Sequence, residues 1–189
     1  MHYHDQQKRK GGIQEPYSSH PFAVRDILVR YGYDEPEVQA IALLHDVFED
    51  TKLGSDRDEI MKRFGDVVHQ GVFVLSTNTP GRFAGEITPL FDNLGIKYLG
   101  EDSRLTPEAY KTRLLFARTS IKRVKIADVI HNTRDLSSLN KSGIQRKLDD
   151  ADKFYIPLGN SVAPIMVKEL VTNVSTYRAS DHYRSTFST

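Results

Sequence analysis

The chain has 189 residues and carries 26 Lys and Arg against 25 Asp and Glu, which gives a formal net charge of +1. This length predicts one domain with a sizeable core, and the balanced charge argues against binding of bulk DNA or RNA. Cysteine is absent, which excludes disulfides, thiolate metal sites and a cysteine nucleophile. A metal ion would therefore have to bind to His, Asp, Glu or backbone oxygens.

Neither end of the chain predicts membrane insertion or export. The first ten residues are polar and lack an apolar stretch, so a signal peptide is not expected. No apolar run approaches the ~18 residues that span a bilayer. The sequence predicts a cytoplasmic protein, with residues 176–189 as a polar C-terminal tail.

Helical periodicity dominates the first 75 residues. The first helix is predicted to end at Gly32, and the second begins at Pro36, which favours a first helical turn. Segments 56–64 and 66–75 predict two further helices. The helix-spaced positions of the first two helices are Val24, Ile27, Leu28 and Tyr31, followed by Val38, Ile41, Ala42 and the polar His45.

The second half also predicts helices, after a long stretch without periodicity. Residues 79–104 contain two Pro and four Gly and predict a long loop that is a candidate lid. The predicted helices are 106–118, 120–139, 145–154 and 157–171, and the second of these is apolar on nearly every side and therefore buried. The fold class is all-α, with about eight helices forming one domain over residues 1–175.

The first polar intrusion into these apolar helices is the pair His45 and Asp46. His45 lies on the buried stripe of its helix, and Glu49 and Asp50 follow one turn later. Buried carboxylates cost several kcal/mol unless partners or a cation compensate them. Four ionisable residues within one turn therefore need an explanation.

The second intrusion is Asp128, which lies among Ala127, Val129 and other apolar residues. Lys125, Asp128 and Asn132 have the spacing of one helix face, and Asp135 extends that face by a turn.

A divalent cation would account for both intrusions. His20, His45, Asp46 and Asp128 would supply two imidazole nitrogens and two carboxylates. Such a set suits Mn²⁺, Fe²⁺ or Zn²⁺, and the ligand types alone do not choose among them. His131, three residues after Asp128, is expected to pack or to form a hydrogen bond, and His2, His4, His69 and His182 are assigned no function.

These motifs resemble the HD-domain metal phosphohydrolases, and in detail the alarmone hydrolase domain of the RelA/SpoT family. The resemblance covers about residues 4–162. Because these motifs leave no room for a synthetase domain, the chain resembles a small stand-alone hydrolase of (p)ppGpp. The segments that carry the resemblance are RK…EPYSSHPFAV, ALLHDVFEDT, KRFGDVV, VKIADVIHNTRDL and, more weakly, YIPLGNSV.

The resemblance implies a role for each matching position. His20, His45, Asp46 and Asp128 would hold the metal, which is Mn²⁺ in the family. Glu49 and Asp50 would be the catalytic acidic pair that positions and deprotonates the attacking water. The implied nucleotide contacts are Arg9 and Lys10 near the base and phosphates, and Lys125, Asn132 and Asp135 in the lining of the site. The implied reaction is hydrolysis of the 3′-pyrophosphate of (p)ppGpp to GDP or GTP and pyrophosphate.

Two departures from the family and two alternative functions stay open. The chain begins just before Arg9, where the family has a fuller helix, and the 79–104 loop is longer than in compact stand-alone members. One alternative is an HD phosphohydrolase for another nucleotide. The other is a non-catalytic module that senses a nucleotide or neutralises an alarmone-making toxin. The intact acidic pair argues against the second alternative, because a pure binder needs no water-activating groups.

Overall fold

The computed structural model describes residues 19–50, 57–78, 91, 93–99 and 104–188, and these residues are predominantly helical. The all-α prediction is confirmed, since the only strand-like feature in the described ranges is an isolated bridge between Leu99 and Leu105. None of the described helices is long and apolar enough to cross a bilayer. The helices are α1 (Ser19–Arg30), α2 (Pro36–Leu44), α3 (Val47–Asp50), α4 (Arg57–Leu75), α5 (Pro107–Leu115), α6 (Thr119–Thr133), α7 (Lys141–Asp150), α8 (Ile156–Asn160), α9 (Pro164–Ala179) and α10 (Asp181–Phe187), with a π-helical turn (Ala151–Tyr155) between α7 and α8.

The first two helices follow the sequence pattern closely. Helix α1 gives way to a turn in which Gly32 adopts a φ of 80°, a conformation that favours glycine. Pro36 occupies the first turn of α2. The predicted stripe of α2 is confirmed, because Val38, Ile41 and Ala42 are buried and His45, which caps the helix, is only 4% exposed.

Helix α4 contains a kink that separates the two helices predicted for this region. Gly65 has a φ of 81° and a ψ of 173°, which interrupts the helical backbone between Phe64 and Asp66. A side chain at this position would be strained, because L residues rarely adopt a positive φ. The interruption lets Ile60 and Val68, on opposite sides of the kink, both reach the core.

Helix α6 is the central element and is buried as the sequence predicts. It packs against α1, α2 and α9, and it buries Asp128 together with its apolar residues. The predicted end at residue 139 is wrong, since the helix ends at Thr133. Beyond it, Asp135 accepts a hydrogen bond from the Ser137 backbone N–H at 2.8 Å, a local Asp turn that competes with helical bonding.

The C-terminal region is more ordered than the sequence indicates. The predicted helix 157–171 is divided into α8 and α9, because Pro164 begins a new helix. The predicted polar tail is helical over most of its described residues, 176–188, since α9 continues to Ala179 and α10 follows it to Phe187. Tyr177 is buried, and Tyr183 stacks on Phe187 with ring centroids 4.4 Å apart and packs against the core. These aromatic side chains hold the segment against the bundle.

Candidate metal centre and cavity

Four side chains that the sequence predicts as metal ligands converge at the centre of the bundle. Helix α1 contributes His20, the end of α2 contributes His45 and Asp46, and α6 contributes Asp128. His20 Nε2 lies 3.2 Å from His45 Nε2, 3.6 Å from Asp46 Oδ2 and 3.1 Å from Asp128 Oδ1. His45 Nε2 lies 3.2 Å from Asp46 Oδ2 and 3.8 Å from Asp128 Oδ1.

These spacings fit a shared divalent cation. Donor atoms that bind one ion at about 2.1 Å lie about 3.0 to 3.4 Å from one another in octahedral or tetrahedral arrangements. Donor atoms of His20, His45 and Asp46 all lie within 4.8 Å of one another. The donors are nitrogen and carboxylate oxygen, the combination that imidazole-binding and carboxylate-binding divalent metals share. The residues present can therefore hold a divalent metal ion.

Both imidazoles are oriented through their second ring nitrogen. His45 Nδ1 lies 2.7 Å from the carbonyl oxygen of Ala42, so this nitrogen carries the proton and Nε2 faces the carboxylates. His20 Nδ1 lies 2.8 Å from His131 Nδ1. The expectation that His131 forms a hydrogen bond is thus confirmed. Contacts of this kind fix the tautomer and ring orientation of ligating histidines.

The histidine and carboxylate side chains stabilise each other's charged forms. Burial opposes charge on His45, but the neighbouring Asp46 and Asp128 carboxylates outweigh it and raise the pKa of His45 to about 9. Burial also opposes ionisation of Asp46, yet His45 lowers the pKa of Asp46 to about 2. The cluster is therefore strongly attractive to positive charge, whether from protons or from a metal ion.

Asp128 is held by two neighbours on its own helix, as the spacing predicts. Lys125 Nζ donates to Asp128 Oδ2 at 2.8 Å, and Asn132 Nδ2 donates to Asp128 Oδ1 at 2.6 Å. Burial opposes ionisation of Asp128, but Lys125 lowers its pKa well below the usual value. Asp135, predicted for the same face, is exposed and caps the turn after α6 instead of joining this group.

A cavity of about 660 Å³ opens beside the cluster. His45, Asp46 and Asp128 form part of its wall, and Glu49 lies in the same wall. Tyr110 and Tyr155 contribute aromatic surface, and Lys125 Nζ lies 5.4 Å and 5.7 Å from the centres of these two rings. The cationic side chains in the lining are Arg104, Lys111, Lys125, Arg146 and Lys147.

Of these five cationic residues, the sequence predicted only Lys125. Arg146 and Lys147 lie on α7, which is amphipathic, so their local pattern is that of an ordinary solvated face. Arg104 lies at the end of the predicted loop and Lys111 lies on α5. Only tertiary packing brings these side chains to one cavity.

Glu49, the first member of the predicted acidic pair, is held in place by one residue. The hydroxyl of Thr77 donates to Glu49 Oε1 at 2.7 Å, and the Thr77 backbone N–H donates to the same oxygen. Asp50 is the last residue of α3, and its side chain lies outside the described part of the structure, as do Arg9 and Lys10. The roles of these three residues stay predictions.

Comparison with known protein families supports the motif interpretation. The family model of the HD domain matches residues 1–73, which include His20 and the His45 and Asp46 pair. The chain contains an HD domain. The matched residues contain α1 and α2, and α1 and the end of α2 supply three of the four converging side chains.

Curated relatives of this HD domain carry names from alarmone metabolism. A GTP pyrophosphokinase of Streptomyces antibioticus is 30% identical over 166 residues, 88% of this chain and 17% of the relative. The GTP pyrophosphokinase rsh of Brucella ovis is 33% identical over 162 residues, 84% of this chain and 18% of the relative. A probable guanosine-3′,5′-bis(diphosphate) 3′-pyrophosphohydrolase of Synechocystis is 29% identical over 96% of this chain and 21% of the relative. The chain thus spans about a fifth of the length of these relatives.

The contact between His20 and His131 predicts a measurable effect on metal affinity. Changing His131→Phe keeps a ring but removes the nitrogen that orients His20. We expect the affinity of the chain for a divalent cation, titrated as Mn²⁺, to fall by about tenfold, since the loss of such supporting contacts costs 10- to 100-fold. Isothermal titration calorimetry measures this change. His182→Phe, at an exposed position on α10, is the matched control, and equal affinities in the two variants would contradict the expectation.

Proposed function

We propose that the chain is a metal-dependent hydrolase that removes the 3′-pyrophosphate of (p)ppGpp, giving GDP or GTP and pyrophosphate. One observation supports this above all. His45, Asp46 and Asp128, three of the four side chains that can hold a divalent ion, share one cavity with the Glu49 carboxylate and a set of lysine and arginine side chains. The name of the Synechocystis relative supports the same substrate. Mn²⁺ is the proposed metal.

His20, His45, Asp46 and Asp128 would hold the ion. A bound divalent ion would neutralise phosphate charge and lower the pKa of bound water towards ~7. Glu49 shares the cavity with His45, Asp46 and Asp128, and Thr77 donates two hydrogen bonds to Oε1. The other carboxylate oxygen, Oε2, is the atom proposed to accept a proton from the attacking water.

The reaction forms one bond to phosphorus and breaks another. The water oxygen attacks the phosphorus bound to the ribose 3′ oxygen, and the bond between that phosphorus and the 3′ oxygen breaks. Glu49 takes the proton from the water, and the 3′ oxygen of the nucleotide is protonated as it leaves. Asp50, the second member of the predicted acidic pair, is proposed to assist this proton transfer.

The five lysine and arginine side chains in the lining support a substrate with several phosphates. Five carboxylates line the same cavity, namely Asp46, Glu49, Glu108, Asp128 and Asp150. Lys111 is bound to Asp150 at 2.6 Å and Lys125 to Asp128 at 2.8 Å, so part of the positive charge is compensated by the protein. Arg146 and Lys147 add charge on α7. Since (p)ppGpp carries phosphates at both the 3′ and 5′ positions, one group can lie at the ion while the other meets these side chains.

Substrate and metal can be tested together. The protein is treated with a chelator, dialysed and assayed for pyrophosphate release from ppGpp with and without Mn²⁺. We expect release only after Mn²⁺ is added, with GDP as the second product. A parallel panel of deoxynucleotides and 2′- or 3′-phosphorylated dinucleotides tests the choice of substrate.

Each alternative function has a distinct outcome in this assay. Cleavage of another phosphoester while ppGpp stays intact would contradict the proposed substrate but retain the hydrolase. Tight ppGpp binding without any product after hours in Mn²⁺ would favour a non-catalytic nucleotide-sensing module. Mg²⁺, Zn²⁺ and Fe²⁺ are included to test the choice of metal.

A further inference from the structure

Residues 76–78, which follow α4, hold the Glu49 carboxylate through hydrogen bonds. Thr77 is the middle residue of this segment, and it directs both its backbone N–H and its hydroxyl towards Glu49 Oε1. Two donors on one carboxylate oxygen define the orientation of the carboxylate only if Thr77 itself is fixed. The contacts of the neighbouring residues therefore matter.

The backbone around Thr77 is fixed on several sides. The Thr77 carbonyl accepts a hydrogen bond from the Leu105 N–H at 3.0 Å. Asn78 donates from its backbone N–H to Ser76 Oγ at 3.1 Å and from Nδ2 to the Phe48 carbonyl at 3.4 Å. Arg113 Nη2, from helix α5, donates to the Ser76 carbonyl oxygen. The last contact fixes the peptide group whose N–H belongs to Thr77.

Arg113 lies in an unusual environment for a cationic side chain. Its guanidinium carbon lies 5.4 Å from the centre of the Phe73 ring and 5.7 Å from that of the Tyr110 ring. Burial lowers the pKa of Arg113. Nε and Nη1 are buried and have no hydrogen-bond acceptor within the described ranges. Burying such donors costs free energy, so stability alone is a poor reason for an arginine at this position.

Arg113 does not line the cavity among the described residues, whereas Thr77 and Glu49 do. Apart from the electrostatic attraction between its charge and the Glu49 carboxylate, Arg113 would influence Glu49 through the Ser76 carbonyl and the following N–H. That peptide group joins Ser76 to Thr77, so rotation of its plane would move the N–H away from Glu49 Oε1.

We propose that Arg113 is a positioning residue that orients the Glu49 carboxylate by fixing the peptide group between Ser76 and Thr77. The expected effect of Arg113 on turnover rests on the proposed function. The expected orientation of Glu49 by Arg113 rests on the described contacts alone. Arg113 is not among the described residues that line the cavity. Its effect falls on the rate of the chemical step and not on nucleotide binding.

The catalytic consequence is tested by steady-state kinetics of Arg113→Met. Methionine has a similar length and packs on aromatic rings but donates no hydrogen bond. We expect kcat for pyrophosphate release to fall about 10- to 100-fold, the range for lost supporting contacts, while KM changes less than about twofold. Arg113→Lys retains a donor and should recover part of kcat. A kcat equal to that of the wild type in Arg113→Met would overturn the inference.

Arg123, which lies on α6 and does not line the cavity, offers a matched control. Its guanidinium lies 4.2 Å from the Tyr33 ring centre, and Nε donates to the Val162 carbonyl at 3.0 Å. Arg123→Met therefore removes the same kind of stacking and the same kind of carbonyl contact. Equal losses of kcat in the two methionine variants would show a general loss of stability and would overturn the inference.

The structural part is tested without any activity measurement. Amide hydrogen exchange by NMR reports how well the Thr77 N–H is protected. We expect exchange at Thr77 to become about tenfold faster in Arg113→Met and to stay at the wild-type rate in Arg123→Met. Unchanged exchange in Arg113→Met would overturn the inference. An inactive wild-type protein would contradict the proposed function, and the exchange result would still decide the role of Arg113.

Discussion

Asp128→Asn should abolish Mn²⁺-dependent pyrophosphate release. The variant keeps the shape of the side chain but removes a charge that lies 3.1 Å from His20 Nε2 and 3.8 Å from His45 Nε2. It also removes the partner of Lys125, whose positive charge would then face the metal site without compensation. We expect Mn²⁺ affinity to fall more than about 100-fold, beyond the cost of losing a supporting contact. Calorimetry and the pyrophosphate assay measure the two effects.

The control for Asp128 is another aspartate that forms an ion pair but does not line the cavity. Asp152 is paired with Arg178 near the surface, and Asp152→Asn removes one negative charge without touching the cluster. This variant should bind Mn²⁺ like the wild type. Thermal unfolding of both variants without metal checks that they fold. Undiminished Mn²⁺ affinity in a folded Asp128→Asn protein would remove Asp128 from the metal site.

Glu49→Gln should separate catalysis from metal binding. The amide keeps the size of the side chain, and its carbonyl oxygen can still accept from Thr77, but it cannot take a proton from water. We expect turnover of ppGpp to fall 10²- to 10⁴-fold, the typical contribution of general-base catalysis. Mn²⁺ affinity should stay within about threefold of the wild type, because Glu49 is not a member of the converging group.

An exposed glutamate on α2 serves as the control for Glu49. Glu37 lies in the first turn of that helix, and Glu37→Gln makes the same chemical change away from the cavity. Asp50→Asn, measured alongside, tests the second member of the predicted pair. Normal turnover by a protein with both Glu49→Gln and Asp50→Asn would refute the assignment of the acidic pair.

The parts of the fold that could be predicted are those with a strong local pattern. His45 follows the apolar stripe of α2, and Gly32 and Gly65 interrupt helices where their positive φ values occur. The errors occurred where side chains act across longer distances. The aromatic ring of Tyr183 stabilises a Ser- and Thr-rich segment that by composition resembles a loose tail.

The candidate metal site was predictable because its residues also form a strong local pattern, whereas the surrounding cavity was not. Asp128 within an apolar helix, with Lys125 and Asn132 on its face, is a signal within eight residues of sequence. Thr77 and Arg113 are separated by 36 positions and carry no motif, so their relation to Glu49 exists only after α4 and α5 pack together. Arg146 and Lys147 likewise acquire their place from tertiary structure.

The π-helical turn before α8 sets the orientation of a side chain in the cavity wall. The Ile156 N–H bonds to the Ala151 carbonyl, one residue further along than in an α-helix. The turn therefore shifts the angular phase of the helices on either side by one residue, about 100° of rotation. If the same residues formed a continuous α-helix, Tyr155 would be rotated relative to Arg146 and Lys147, three side chains that now share one wall. The π-helical turn thus acts as a determinant of pocket composition.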